Sequence, residues 1–396
     1  MGTKTRKLSN SVDSIVQWQS VITADGSTNT TAESGRGYFI DTTSAAHTIV
    51  LPSSPSLSDT IQIRDYAASF GTNNITLDIN GKKLGGVASN GAISTNDSMV
   101  TLVYSGEDKG WLSIENEAKT NLVPPVFTEA TGGTETTSGD YKIHTFTSSG
   151  CFAVSQIGNS PAIPSGGPTT VDYLVVAGGG GGRDDGGASQ GGAGGGGGGF
   201  RESKSPAAGT YTASPLASST GITASVTTYP ITVGAGGARQ SNDGSNSVFS
   251  TITSTGGGGG GVYTNTPGRT GGSGGGGGAN GGAGGSGNTP PVSPPQGNPG
   301  SPAPGGATPG AGGGAGTAGS GQNGGNGAAT AITGSSVTRA GGGASGTPGG
   351  SGGPGGGGDR VTAGTANTGG GGGGGNSACT SKAGGSGIVI LRYKYQ

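Results

Sequence analysis

Charge is scarce in this chain of 396 residues: 20 Lys and Arg stand against 21 Asp and Glu, leaving a net charge of −1. Such a balance creates no strong field to steer nucleic acid or an anionic membrane surface toward the protein. The two histidines, His47 and His144, sit alone in strand-like stretches, and the two cysteines, Cys151 and Cys379, are far apart. A metal site needs several converging ligands, and a disulfide framework needs several cysteines. Neither is present, and no cofactor is expected. A Cys151–Cys379 bridge stays open, although two free, buried thiols are the better reading. No run of 18 apolar residues suggests a membrane span. Residues 1–16 lack the apolar stretch of a signal peptide. The expectation is a chain made in a cytoplasm, without membrane insertion. Hydrophobic residues are only 28% of the total, so a conventional core of full size fits only the first half.

Glycine fills the space. Of 96 glycines, 18 precede residue 178 and none follows Gly387, so 78 (96 − 18) fall in residues 178–387. Runs such as Gly194–Gly199, Gly256–Gly261, Gly274–Gly278 and Gly369–Gly375 are too long for turns and poor as helix or strand interiors. A disordered linker is one reading. Against it, polar segments punctuate the runs, the strand-like Val171–Val176 leads in, and Ile388–Tyr393 follows the last run. The ordered alternative is a bundle of extended threefold helices of the polyproline-II type. Such helices have no internal hydrogen bonds, so neighbouring backbones must satisfy one another. Backbones approach that closely only where side chains are absent. Collagen fits poorly, because Ala303 breaks the period of three begun by Gly297 and Gly300.

Earlier in the chain, short strands alternate with turn signals: Tyr38–Ile40, His47–Leu51 closed by Pro52, Thr60–Arg64, Asn74–Ile79 with Asn80-Gly81 as a tight turn, Met99–Tyr104 and Trp111–Ile114. This spacing reads as a β-sandwich with one side of each strand inward. The basic opening Lys4, Arg6, Lys7 is a solvated end or an attachment segment. Pro124-Pro125 marks a stiff linker. Tyr141–Thr147, a turn at Ser148–Gly150 and Cys151–Val154 read as a hairpin. With Val171–Val176, Gly221–Thr228, Tyr229–Val233, Val248–Thr253 and Ile388–Tyr395, it forms a small β-platform for the glycine runs. The expected organisation is an N-terminal attachment segment (1–30), an all-β sandwich domain (31–118), a linker (119–140) and a glycine-rich domain of packed polyglycine-II helices on a β-platform (141–396), with negligible α-helix.

Two stretches carry a resemblance. Gly37–Thr43, Ile63–Ala67, Gly71–Asn74 and Gly110–Leu112 resemble a β-domain of bacteriophage tail-fibre proteins known from cyanobacterial and other aquatic hosts. Lys142–Phe146, Tyr173–Ala177 before glycine, and Gly387–Ile390 resemble the glycine-rich domain of phage tail-fibre tips, similar in principle to the tip adhesins of T-even-like phages. The resemblance implies a virion protein made in the host cytoplasm. It implies a homotrimeric fibre joined to the tail or to other fibre proteins through its N-terminal region. It also implies a tip whose variable loops contact a receptor on the host bacterium, either a glycan or an outer-membrane protein. Those loops do not align to this chain, so no contact residue carries over.

Enzymatic readings are weak. The G-x-G-x-x-G spacing from Gly178 meets Arg183 at its last position, and no helix-forming segment follows. No G-K-[ST] occurs. A glycan depolymerase needs paired carboxylates, and the adjacent Asp184-Asp185 diverge on an extended chain. Recognition remains: adhesin first, a structural fibre or decoration protein second, a depolymerase third. The segments between runs hold the candidate contacts Arg183, Asp184, Asp185, Tyr263, Asn265, Arg269, Gln296, Asn298, Asp359 and Arg360. They are of types suited to contact or adaptable hydrogen bonding. Counting runs from the platform puts 183–190 and 262–270 at the far end and 200–255 back at the base. The Pro-rich 288–304 and 359–368 are the next choices for the far end.

Overall fold

The computed structural model describes residues 16–114, 125–161, 166–184, 191–262, 265–346, 350–376 and 380–396. The chain divides into two units, residues 1–127 with 158–168, and residues 128–157 with 169–396. Almost all regular structure is β. The described residues contain no α-helix, only a 3-10 turn at Pro206–Ala208.

The first unit contains β1 (Gln17–Trp18), β2 (Ile22–Thr23), β3 (Thr30–Thr31), β4 (Arg36–Asp41), β5 (His47–Val50), β6 (Thr60–Asp65), β7 (Ile75–Asp78), β8 (Gly91–Ile93), β9 (Met99–Tyr104) and β10 (Trp111–Ser113). One sheet runs β1-β4-β6-β9-β10 with β2 also on β4, and the other runs β3-β5-β7-β8. Strict alternation turns Ile49, Ile61, Ile63, Ile75 and Leu77 into one core between the sheets. Two sheets enclosing one core are as the sequence pattern implies. The strand direction is not that of an antiparallel sandwich. From β2 to β7 the chain alternates between sheets, so β4 lies parallel to β6 and β5 parallel to β7. The last three strands, β8, β9 and β10, close the coil antiparallel. Alternation fixes which side faces inward and says nothing of direction. The first of these strands also fall within the segment assigned to attachment. Trp18 stacks on Phe39 at 4.3 Å, and its ring lies 2.6 Å from where a Cβ on Gly37 would stand, so only glycine fits there.

The second unit holds β11 (Glu129–Thr131), β12 (Thr134–Ser138), β13 (Tyr141–Phe146), β14 (Gly150–Gln156), β15 (Thr170–Val176), β16 (Phe200–Ser203), β17 (Ala217–Ser218), β18 (Ile222–Thr223), β19 (Thr228–Thr232), β20 (Ser247–Phe249), β21 (Ile252–Ser254), β22 (Ala328–Thr330), β23 (Val337–Arg339) and β24 (Ile388–Lys394). The platform has two sheets, β12-β13-β24-β15-β16-β17 with β18 on β15, and β11-β14-β19-β20-β21. Thus β13 and β14 are not a hairpin: they part into different sheets. Part of the expected linker is strand, β11 and β12. The central strands β15 and β24 are apolar over Tyr173–Val176 and Ile388–Leu391, because both faces are covered there. Tyr173, Val175, Val389 and Leu391 meet Phe152 and Phe249 on one face. Leu174, Val176, Ile388 and Ile390 meet Ala315, Ala328, Ile332 and Ala340 on the other, which seats the glycine region.

The glycine region is a lattice of extended helices. Residues 192–199 show its rule. Gly194 and Gly197 donate to Gly310 and Gly313, Gly195 and Gly198 to Gly372 and Gly369, and Gly196 and Gly199 to Gly258 and Thr255. Every third N–H returns to the same neighbour, the signature of three residues per turn. The carbonyls do the same: Gly194 and Gly197 accept from Gly276 and Ser273, Gly192 and Gly195 from Gly346 and Gly343, and Gly196 and Gly199 from Gly180 and Ala177. Three neighbours therefore receive and three give, and the run is enclosed by six others. No glycine of 192–199 has positive φ, so the helix has the hand of polyproline II. That hand lets Pro299, Pro302 and Pro304 share the segment 297–304 with glycine.

Candidate functional site

The same hydrogen bonds rank the turns by distance from the platform. Near it, Ala177 donates to Gly199, Phe200 to Gln296, Gly369 to Ser386 and Gly387 to Gly234. At the far end, Arg183 donates to Ala193, Gln240 to Gly182, Gly261 to Gly276, Gly375 to Arg183 and Val361 to Gly374. The far face thus gathers residues 183–184, 239–243, 261–269 as far as described, 279–282, 345–346 and 359–362. Residues 239–243 belong there although 200–255 was expected at the base. The short run Gly234–Ala238 with Asn242-Asp243-Gly244 beyond it was the signal. The Pro-rich segment splits: 288–296 stays at the platform, and 297–304 climbs away. Likewise 359–362 is far and 363–368 returns.

Of the candidate contacts, Asp185 and Tyr263 lie outside the described residues. Asp184 accepts from Gln240 Nε2 and the Ser381 N–H, with Arg239 Nη1 at 3.7 Å. Arg183 is half-buried. Asn265 is exposed with φ 54°, a conformation asparagine tolerates. Arg269, a candidate contact, does not present a free fork of donors. Its Nε and Nη2 instead each lie 2.7 Å from the two oxygens of Asp243, whose Oδ1 also accepts the Gly259 N–H. That bond raises the arginine pKa above its ordinary value. The pair is partly exposed, so a ligand would meet it as a neutral clamp. Gln296 is fully buried. Its Oε1 takes the Thr255 N–H, and its Nε2 donates to Thr255 Oγ1 and Pro290 O. It offers no surface to a partner. Asn298 is half-buried, its Nδ2 donating to Gly314 O and Ala315 O. Asp359 is exposed and accepts the Gly352 N–H, and Arg360 is half-buried beside it. Cys151, expected buried, is exposed, while Cys379 lies outside the described residues.

A second arrangement was not read from the sequence. Arg392 on β24 is buried, with Nε donating to Ala208 O and Nη1 to Ile332 O, each at 3.1 Å. Its guanidinium lies 4.3 Å from the Tyr141 ring and 5.1 Å from the Tyr211 ring. Burial draws its pKa below the ordinary arginine value, against Tyr211, Tyr141 and Asp172. Arg392, Tyr141 and Tyr211 line a cavity of about 530 Å³ between the Ser138–Tyr141 turn, residues 210–212 and the 331–334 turn. Two buried carboxylates stand nearby, both spoken for. Asp172 accepts from Ser203 Oγ, the Ser205 N–H and Ser205 Oγ. Glu202 accepts from the Ser214 N–H and Thr330 Oγ1, and burial pushes its pKa up. Through these bonds Asp172 ties β15 to Ser203 and Ser205, and Glu202 ties β16 to Ser214 and Thr330. Among the described residues no group of three His, Cys, Asp or Glu is placed to hold a metal ion.

The fold and the far-end surface define a glycine-rich scaffold that displays turns from a β-platform. A family model described as "Glycine-rich domain" matches residues 154–394, more than half of the chain, and the chain belongs to that family. No curated protein matches it.

Proposed function

We propose that the protein is the receptor-binding tip of a phage tail fibre and recognises a glycan or an outer-membrane protein on the host bacterial surface. The observation that carries this reading is the far end of the lattice, where a rigid backbone holds a cluster of polar turns: Asp184, Arg239, Gln240, Asp243, Asn265, Arg269 and Asp359. A stiff scaffold displaying side-chain-rich turns is a common way of building a recognition surface. The resemblance of both halves to tail-fibre segments supports it. In this reading the protein resides in the virion, and the first unit assembles as a trimer within the fibre. The N-terminal region joins it to the tail or to other fibre proteins.

The test is adsorption. Purified protein should bind susceptible cells, and an excess should block virion attachment. A triple variant, Arg239→Ala, Asn265→Ala and Arg360→Ala, should lose most cell binding while its melting temperature stays put. Unchanged binding by that folded variant would remove the far face from receptor contact. Failure of the wild type to bind cells that virions attach to would leave a purely structural fibre protein.

A further inference from the structure

We infer that the cleft around Arg392, Tyr141 and Tyr211 binds a singly charged sugar acid, a uronic acid or a close relative. Three observations combine. The cavity of about 530 Å³ lies within the ~300–1,000 Å³ usual for small-molecule sites. Arg392 is only 4% exposed and forms no ion pair among the described residues, and its hydrogen bonds to Ala208 O and Ile332 O use Nε and Nη1. Nη2 is left as a donor on a residue that lines the cavity, the requirement for a carboxylate oxygen. Tyr141 and Tyr211 contribute apolar ring surface to the same walls, against which the C–H face of a sugar packs.

Asp140, on the rim, sets the limit on charge. It is exposed and lines the cavity. Its carboxylate accepts from sugar hydroxyls and repels a second negative charge. One carboxylate among hydroxyls fits this pairing, whereas a doubly charged sulfate or phosphate does not. The architecture keeps the cleft open by glycine. Gly209 has φ +78°, and a Cβ there would stand 2.7 Å from the Tyr141 ring. Gly334 on the opposite wall has φ +97°. The cleft belongs to the platform, so it stands or falls separately from the far-end turns.

The full chain is titrated by calorimetry and saturation-transfer NMR with D-glucuronate, D-galacturonate, trigalacturonate, the neutral hexoses glucose and galactose, and inorganic sulfate. The uronates should bind saturably, with the hexoses and sulfate at least about tenfold weaker, the loss expected for one charge-assisted hydrogen bond. Trigalacturonate binding tighter than galacturonate assigns the ligand to a polysaccharide, and equal affinity assigns it to the free acid. Thr210→Trp, on an exposed wall residue, should abolish uronate binding without lowering the melting temperature. Asp140→Asn, on the solvated rim, should raise sulfate binding relative to uronate and serves if the tryptophan variant does not fold. Equal binding of glucose and glucuronate, no uronate binding, or uronate affinity untouched in both folded variants overturns the assignment.

Discussion

Replacing Gly258 with alanine adds one methyl group and should be among the most damaging small changes in the chain. A Cβ built on Gly258 would stand 2.1 Å from Arg269 O and 2.7 Å from its carbonyl carbon. Ordinary Cβ contacts begin near 3.4 Å, so the two runs must separate by about 1.3 Å (3.4 − 2.1). Bonds that pass through this contact, Arg269 N–H to Gly259 O at 2.9 Å and Gly275 N–H to Arg269 O at 3.0 Å, cannot survive such a shift. Two broken bonds leave four backbone groups without partners, two of them on the buried Gly259 and Gly275. At about 1–3 kcal/mol for each unsatisfied group, with partial repair, the expected loss is roughly 3–6 kcal/mol. The smaller unfolded-state entropy of alanine returns only about 0.4–1 kcal/mol. Thermal melting should fall on the order of 10 °C, at about 2–4 °C per kcal/mol for a domain of this size. Gly306→Ala is the control: φ is +56°, nothing lies within 4 Å of the added Cβ, and the strain is roughly 1–2 kcal/mol. Hydrogen exchange at the amides of 256–261 should accelerate in the first variant only. If Gly258→Ala melts no lower than Gly306→Ala, close backbone contact is not what holds the lattice.

Acid should weaken the second unit through His144. Its Nδ1 lies 2.7 Å from Gly132 O and must donate, so Nε2 accepts from Tyr393 OH at 3.0 Å in a neutral ring, and burial depresses the folded pKa. As pH falls through about 6.5 the unfolded chain takes the proton and the fold does not, losing up to ~1.4 kcal/mol per pH unit until the folded value is reached. Glu202, raised by burial, acts in the opposite sense, so the clean measurement is the slope of melting temperature between pH 7.5 and 5.5. It should flatten in His144→Gln, and an unchanged slope refutes the assignment. Releasing Arg269 by Asp243→Ala should weaken melting by about 1 kcal/mol or less for the exposed ion pair, plus the cost of the orphaned Gly259 N–H. A variant as stable as wild type shows the clamp to be ornamental. Inserting one glycine in the middle of residues 194–199 should cost less stability than the single methyl of Gly258→Ala, measured side by side in denaturant.

Much of the architecture was legible because it follows from local chemistry. The runs pointed to close-packed backbone, since six successive glycines suit neither a turn nor a helix or strand interior and strands flank them at both ends, and β15 and β24 announced a platform through apolar residues on both faces. Direction and partnership were less legible. The alternation in Thr60–Asp65 fits parallel and antiparallel neighbours alike, and nothing local to Phe146 or Gly150 says that β13 and β14 go to separate sheets. At the far face, residue type suggested contact but could not reveal prior engagement. Arg269 spends its fork on Asp243, and Gln296 spends its amide on Thr255 and Pro290. Asp243 and Thr255 lie 26 and 41 residues away in sequence. Arg392 was hidden for the converse reason, because its cation reads as the solvated end of a strand until residues 141, 208, 211 and 332 are brought around it.

The lattice also explains why adding a glycine should be milder than adding a methyl. In a threefold helix, one residue advances about 3.1 Å and turns one third of the way round. Shifting residues 194–197 by one place hands the Gly310–Gly313 contacts to the groups that served residues 369–372. Each N–H still meets a carbonyl, because every neighbour presents the same backbone. The glycine runs therefore specify close approach but not register. Register falls to the residues that break the pattern, such as Ala193, Ser273, Ala311 and Ala344, all buried within or beside the runs, and to Gln296 at the base. An inserted glycine pushes one turn outward and moves Ala193 along its groove, a local misfit. A methyl on Gly258 parts two runs along their length. Length can then change in the runs and residue type in the turns, while interior glycines such as Gly258, packed against a neighbouring backbone, refuse a side chain.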